Sequence, residues 1–274
     1  MIDKSQLPFL LKLMSDQSPQ VRAKVAQGLR AFGPRLRDEI ESAGLSLTED
    51  QESFLELLQA GEEIAFRKAW LRRLSLEDDT EKLEATLELL AAWQSGEGRP
   101  VRLRELLNDL AEEFIAAGRA RDPEELSTFL FLDKGLQGPE PEDYYNPLNS
   151  NLVYVLQSGY GIPISLVSIF ILVGKRVGLE IYGCNFPDHF LARARLQGHD
   201  LIFDCFNGGR LLPREEIAAL RKAAPEEMRT PASATMMIAR VLRNLANAYY
   251  QSGEIERTRF MLSLLGELEQ AERQ

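Results

Sequence analysis

Nearly every position from Ile162 to Val173 is apolar, in the run Gly161-Ile162-Pro163-Ile164-Ser165-Leu166-Val167-Ser168-Ile169-Phe170-Ile171-Leu172-Val173-Gly174-Lys175-Arg176-Val177-Gly178. A helix of this composition has no polar face to offer water, so it must be contacted on several sides and sit at the centre of its domain. Pro163 falls where a helix can begin, because a first-turn nitrogen needs no intrahelical acceptor, and Gly178 falls where one can end. The run is shorter than the roughly 20 residues needed to cross a bilayer. The rest of the chain must therefore supply layers around it.

Three short strand-like runs follow, at Leu179 to Cys184, Phe190 to Arg195 and Leu201 to Asp204, with Gln197, Gly198 and Asp200 supplying a turn that also holds His199. They predict a short antiparallel sheet packed on the apolar helix. Everything else reads as helix or loop. Ser18 and Pro19 open a helix with apolar residues at Val21, Val25, Leu29 and Phe32, and Gly33 stops it; its texture resembles the second helix of a HEAT-type repeat, although no second copy follows. Further helices are expected over Gln51 to Leu58, Glu62 to Leu74, Asp79 to Trp93, Val101 to Ala117 and Glu124 to Phe131. A glycine- and proline-rich loop from Gly135 to Pro147 leads to Asn149-Ser150 as the cap of a helix over Asn151 to Gln157. Pro213 starts a short helix, and Met236 to Gln251 with Glu254 to Leu268 form a hairpin of tetratricopeptide type. The expected fold is α+β and mainly helical, divided as 1–95, a helical region; 96–225, the core with the central helix and sheet; and 226–274, the helical hairpin.

Charge narrows the function. The 274 residues carry a formal charge of -10, which disfavours nucleic acid and anionic membrane as partners. The basic clusters at Arg67-Lys68, Arg72-Arg73 and Arg99 to Arg104 lie among acidic residues in helical patterns, as solvated helix faces do. Two cysteines, Cys184 and Cys205, cannot make a disulfide framework, and the start of the chain shows no charged region followed by an apolar one, so a cytoplasmic location is expected. Cys184, Cys205, His189 and His199 do not form paired metal-binding knuckles; no metal and no cofactor is expected.

Both histidines lie in PDHFLARARLQGHDLIFD, residues 187–204. Strand, turn and strand would bring His189 and Asp204 onto adjacent antiparallel strands, where residues on one face come within about 5 Å at Cβ. An imidazole needs such a carboxylate if its tautomer is to be fixed. With Asp143 to Leu152, Gly161 to Leu166 and Asp204 to Leu212, this segment resembles the SirB-type branch of the transglutaminase-like superfamily, whose members commonly end in tetratricopeptide-like helices. The resemblance covers roughly residues 80 to 270. It implies a papain-like core in which a cysteine nucleophile opens the central helix, with His189 at the catalytic histidine position and Asp204 at the orienting aspartate position.

The position implied for the nucleophile is Pro163, which has neither thiol nor hydroxyl. Ser165 is turned about 200° away around the helix. Cys184 could approach the dyad if the 185–187 bend folds it back, and Cys205 points to the opposite face from Asp204 if strand geometry continues. His189 and Asp204 could then serve as a structural pair, as a general acid-base pair acting on water, or as part of a groove that binds without turnover. The groove would be lined by Tyr144, Tyr145, Asn149, Pro163, Ser165, Phe186 and Asn207. The expectation is a catalytically degenerate transglutaminase-like protein that binds a protein or peptide partner. The alternative is a hydrolase of amide or peptide-like bonds using His189 and Asp204 with water or Cys184.

Overall fold

The computed structural model describes residues 4–16, 18–95, 102–186, 189–196, 198–223 and 230–271. The expected break at Gly96 to Pro100, the Pro187-Asp188 part of the histidine motif and Gln197 of the hairpin turn lie outside the described residues, and the expected division at 225–226 falls among them too. Two compact units are present. One comprises residues 1–75 with 89–101, and the other residues 76–88 with 102–274.

The first unit is helical: α1 (Leu7–Lys12), α2 (Pro19–Arg30), α3 (Leu36–Ser42), α4 (Glu49–Leu74) and the part of α5 (Asp79–Ser95) from Leu89 onward. Ser18 caps α2 by accepting from the Val21 nitrogen. Leu7, Leu11, Val25, Leu29, Ile40 and Leu55 pack one apolar core. Phe66 stacks on Trp70 and meets Trp93 edge-on. The sequence suggested two helices between Gln51 and Leu74, but α4 is continuous. Thr48 and Gln51 form a reciprocal capping box at its start, and Gly61 sits in the interior without a left-handed backbone angle. A lone glycine weakens a helix without having to end it.

The second unit is built on α9 (Pro163–Arg176), preceded by α6 (Leu103–Ala116), α7 (Pro123–Ser127), a π-helical turn over Thr128–Asp133, and α8 (Leu152–Ser158). Every residue from Ile164 to Gly174 is buried. Gly178, at φ 81°, ends the helix turn as expected of glycine. The sheet is a meander in the order β1 (Ile181–Asn185), β2 (Phe190–Leu196), β3 (His199–Asp204) and β4 (Arg210–Leu211), antiparallel throughout. The fourth strand was not foreseen, and His199 opens β3 opposite Leu196 instead of sitting in the turn; it is exposed.

Strand alternation gives the sheet two distinct faces. Phe203 meets Phe170 of α9 at 5.3 Å between ring centroids, while Gly174 leaves room for Ile181 to press against the helix. On the other face Cys184, Leu191, Ile202 and Leu212 form a cluster with Phe186, covered by Ile217 and Leu220 of α10 (Arg214–Ala223). The chain closes with α11 (Ala234–Gln251) and α12 (Ile255–Ala271), packed against each other; α11 also contacts α9 and β1. The architecture is α+β, with a central helix against a short antiparallel sheet. No helix among the described residues is long and apolar enough to cross a membrane.

Candidate functional site

One end of the sheet and the start of α9 are tied together by backbone and by a buried asparagine. Gln137 donates to the Gly159 carbonyl and accepts from the Gly161 nitrogen, and Gly138 donates to the Phe206 carbonyl at 3.1 Å. This strap joins the residues just before α9 to the residues just after β3. A side chain at Gly138 would run into the Phe206 ring, so the close approach needs glycine. Asn149, 2% exposed, makes the second tie. Its side-chain nitrogen donates to the Asp143 carbonyl at 2.6 Å and the Tyr144 carbonyl at 3.4 Å, and its own carbonyl accepts from Ser165 Oγ at 2.8 Å and the Ile162 nitrogen at 3.3 Å. Asn149 thus fixes the loop that carries the two tyrosines to the first turn of α9. It is not the cap of α8: Asn151 is, accepting from the Val153 and Tyr154 nitrogens.

Pro163 is the first residue of α9, with Ile162 at the cap. Ser165 is fully buried and its hydroxyl is committed to Asn149. Neither presents a nucleophile. Cys184 lies on the sheet face turned away from α9, in the apolar cluster under α10, and its thiol is pushed up to about 11 by burial above all, with Asp200 adding to the shift and Arg193 opposing it. Cys205 is buried too, its thiol raised well above the usual range by burial and then by the neighbouring Asp204. At neutral pH both are protonated thiols, weak nucleophiles and poor metal ligands. Among the described residues no group of three or more His, Cys, Asp or Glu could hold a metal ion.

His189 is exposed and immediately precedes β2, the strand adjacent to that of Asp204, and so is not itself a strand residue as expected. Asp204 is 7% exposed and its carboxylate is engaged elsewhere: Oδ1 accepts from the Asn207 nitrogen at 3.2 Å and Oδ2 from Asn207 Nδ2 at 2.7 Å. Among the described residues no hydrogen bond joins His189 to Asp204. The aspartate organises the β3–β4 turn, and Asn207 is the residue through which it does so. That turn is further pinned at Gly209, which lies at φ 69° against Phe131; the Gly209 carbonyl accepts from Ser127 Oγ at 2.8 Å.

Tyr144 and Tyr145 project at this end, 38% and 48% exposed, with ring centroids 5.3 Å apart; Tyr144 also meets Phe206 edge-on at 6.1 Å. Partial burial and then Tyr145 push the Tyr144 phenol upward, while Arg240 of α11 pulls it down. Phe186, expected to line a groove, is buried in the cluster under α10, because the chain leaving β1 turns its ring inward. Its carbonyl does matter: Arg240 Nη1 donates to it and to Asn185 Oδ1, both at 2.8 Å, with the guanidinium 5.5 Å above the Phe190 ring. Arg240 and Phe206 were not singled out from sequence. The available signal was an arginine set among Met237, Ile238, Val241 and Leu242 on the buried face of a helix, where a cation needs specific partners.

The result is an aromatic, partly polar edge composed of Tyr144, Tyr145 and Phe206, with Arg240 near Tyr144 and the loop tied to the start of α9 through Asn149. It offers stacking surface and hydrogen-bond donors, and no activated nucleophile. Residues 101–243 match the transglutaminase-like superfamily, a span that contains all of these groups, and residues 7–36 match the HEAT repeat. A UPF0162 protein of Xylella fastidiosa is 31% identical over 208 residues, covering 69% of this chain and 72% of the relative. A UPF0162 protein of Vibrio cholerae is 31% identical over 109 residues, covering 38% and 40%. F-box only protein 21 of Mus musculus is 38% identical over 82 residues, 27% of this chain and 13% of that protein. No solved structure matches the chain. The superfamily match over more than half of the sequence, the UPF0162 relatives and the helix-on-sheet core together make this chain a member of the transglutaminase-like superfamily.

Proposed function

We propose that this chain is a catalytically degenerate transglutaminase-like protein of the SirB-type branch, acting in the cytoplasm as a binding or regulatory module for a protein or peptide. The α11–α12 hairpin is its tetratricopeptide-like extension. The observation that carries this reading is Pro163 at the start of α9, the position that the family resemblance implies for a nucleophilic thiol. The alternatives nearby support it: the Ser165 hydroxyl is locked to Asn149, and Cys184 is a protonated thiol on the far face of the sheet. What remains at the site is recognition surface, with adjacent aromatic rings suited to an extended peptide.

Two measurements test this. Iodoacetamide at pH 8, read by mass spectrometry, is expected to leave Cys184 and Cys205 unmodified until denaturant is added. Rapid labelling of Cys184 in the folded protein, lost in His189→Ala, would overturn the degenerate reading in favour of a hydrolase. A photo-crosslinking amino acid at Tyr145 is expected to capture a discrete protein or peptide, whereas the same group at exposed Tyr182 on β1 should not. Equal capture at both positions, or none at Tyr145, removes the binding role.

A further inference from the structure

The turn between β3 and β4 carries a reactive pair that the fold both requires and restrains. Asn207 is the only asparagine in the chain that precedes a glycine. Its successor has to be glycine, because Gly208 sits at φ 71°, in the left-handed region that other residues rarely adopt. Space is not the reason: a Cβ there would meet nothing within 4 Å. A glycine nitrogen has no Cβ beside it, so it is the backbone nitrogen best able to reach the side-chain carbonyl carbon of a preceding asparagine.

Asp204 holds that side chain elsewhere. Its Oδ1 accepts from the Asn207 backbone nitrogen at 3.2 Å and its Oδ2 from Asn207 Nδ2 at 2.7 Å, so one carboxylate grips both ends of the asparagine. Arg210, the partner of Asp204 across the β3–β4 pair, is committed to Glu216 through hydrogen bonds of 2.9 and 3.0 Å. Hydrogen bonds to an ionised acceptor are the stronger kind. Rotation that brings Asn207 Cγ onto the Gly208 nitrogen must break the shorter one, so reaction proceeds from a locally opened turn.

We propose that Asn207-Gly208 is a site of spontaneous deamidation guarded by Asp204, and that its conversion loosens the β3–β4 turn. The Gly208 nitrogen gives its proton to solvent and bonds to Asn207 Cγ; the Cγ–Nδ2 bond breaks, and ammonia leaves after taking a proton back from water. Water then opens the cyclic imide at either of its carbonyl carbons, leaving aspartate or isoaspartate at position 207. Water is consumed and ammonia released, with no change of oxidation state. The product lacks the Nδ2 donor and sets a second carboxylate against Asp204, which is buried, where two like charges repel. This turn also anchors the strap, since the Phe206 carbonyl accepts from the Gly138 nitrogen and the Phe206 ring meets Tyr144 edge-on. Deamidation therefore acts on the aromatic edge, whatever that edge binds.

Peptide mass spectrometry of the full chain, incubated at neutral pH with and without urea, tests the guard. Conversion at Asn207 is expected to be about ten- to a hundredfold slower in the folded chain, the range that one hydrogen bond to a charged group supplies. Asp204→Asn leaves one acceptor for two donors and should bring the folded rate close to the rate in urea. Asn149, followed by serine and buried, reports on folding in the same digest and should stay slow. If it accelerates together with Asn207, the variant has opened globally, and Asp204→Glu, which keeps the charge and displaces it by a methylene, makes the comparison instead. Equal rates for folded and urea-unfolded wild type overturn the guard, as does a folded Asp204 variant that converts no faster than wild type. Hydrogen exchange tests the consequence without either variant. In Asn207→Asp the Gly138 amide is expected to exchange several-fold faster while the amides of α9 keep their protection; unchanged exchange at Gly138 overturns the link between the turn and the strap.

Discussion

Pro163 is compatible with the first turn of α9 because the nitrogen it lacks would have had no intrahelical acceptor. The helix start is held from outside instead, by the Asn149 carbonyl, which receives Ser165 Oγ and the Ile162 nitrogen. The start of α9 is thereby a packed joint. Cys184 has a measurable consequence at this scale. Its folded thiol sits at about 11 against an ordinary 9.0, so the folded state holds its proton when the unfolded chain has released it. Stability from this group is fully present below pH 9 and is lost as pH rises toward 11, by up to about 2 to 3 kcal/mol. Denaturant midpoints between pH 7 and 11 should fall, and Cys184→Ala should remove part of that slope; a slope unchanged in Cys184→Ala would contradict the burial of the thiol. The sequence pointed to the hairpin that carries Asp204, since alternation and turn residues are local signals, but His189 lies just before β2 instead of on it. It did not reveal that Asn207 occupies the carboxylate, because a side chain folding back three residues competes with a cross-strand partner, and only the finished turn decides between them.

Among the elements, α9 was the most legible: a run with no polar face has one place to go, and every residue from Ile164 to Gly174 is buried there. Boundaries were harder where one residue carried the decision. Gly61 suggested a break that the capping box and packing of α4 override, and β4, only Arg210–Leu211, is too short to leave a pattern. The buried ion cluster joining α5, α6 and α9 was not legible at all, because its members are far apart in sequence. Glu84, with its side chain 6% exposed, forms ion pairs with Arg176 Nη2 at 2.8 Å and Arg104 Nη2 at 3.3 Å, while Arg176 Nε donates to Asn108 Oδ1 at 2.7 Å. Removing one partner strands a charge away from water. Arg176→Met is expected to cost about 3 to 5 kcal/mol in urea unfolding, and the double variant Glu84→Leu with Arg176→Met much less. Equal losses in the two would show that shape, not charge pairing, governs the position.

On the scale of the whole molecule, the α+β class was readable because helical and strand periodicities occupy separate stretches of the chain. Arg240 escaped notice for a reason that belongs to this scale: it acts on Asn185 and Phe186, 55 and 54 residues earlier in the chain. That reach makes α11 part of the core, and α12 shields it, with Met261, Leu264 and Leu268 buried in the hairpin. A chain ending at Gln251 would expose Leu242, Leu245 and Tyr249. It is expected to bind a hydrophobic dye and lose its sharp thermal transition; a cooperative melt without dye binding would show that α11 stands alone. The sheet has a different relation to chain length. Its strands follow one another in space as in sequence, all within residues 181–211, so each pairing closes only a short loop. Such a meander can pair strand by strand as the chain leaves the ribosome, because none of its pairings waits for the C-terminal helices.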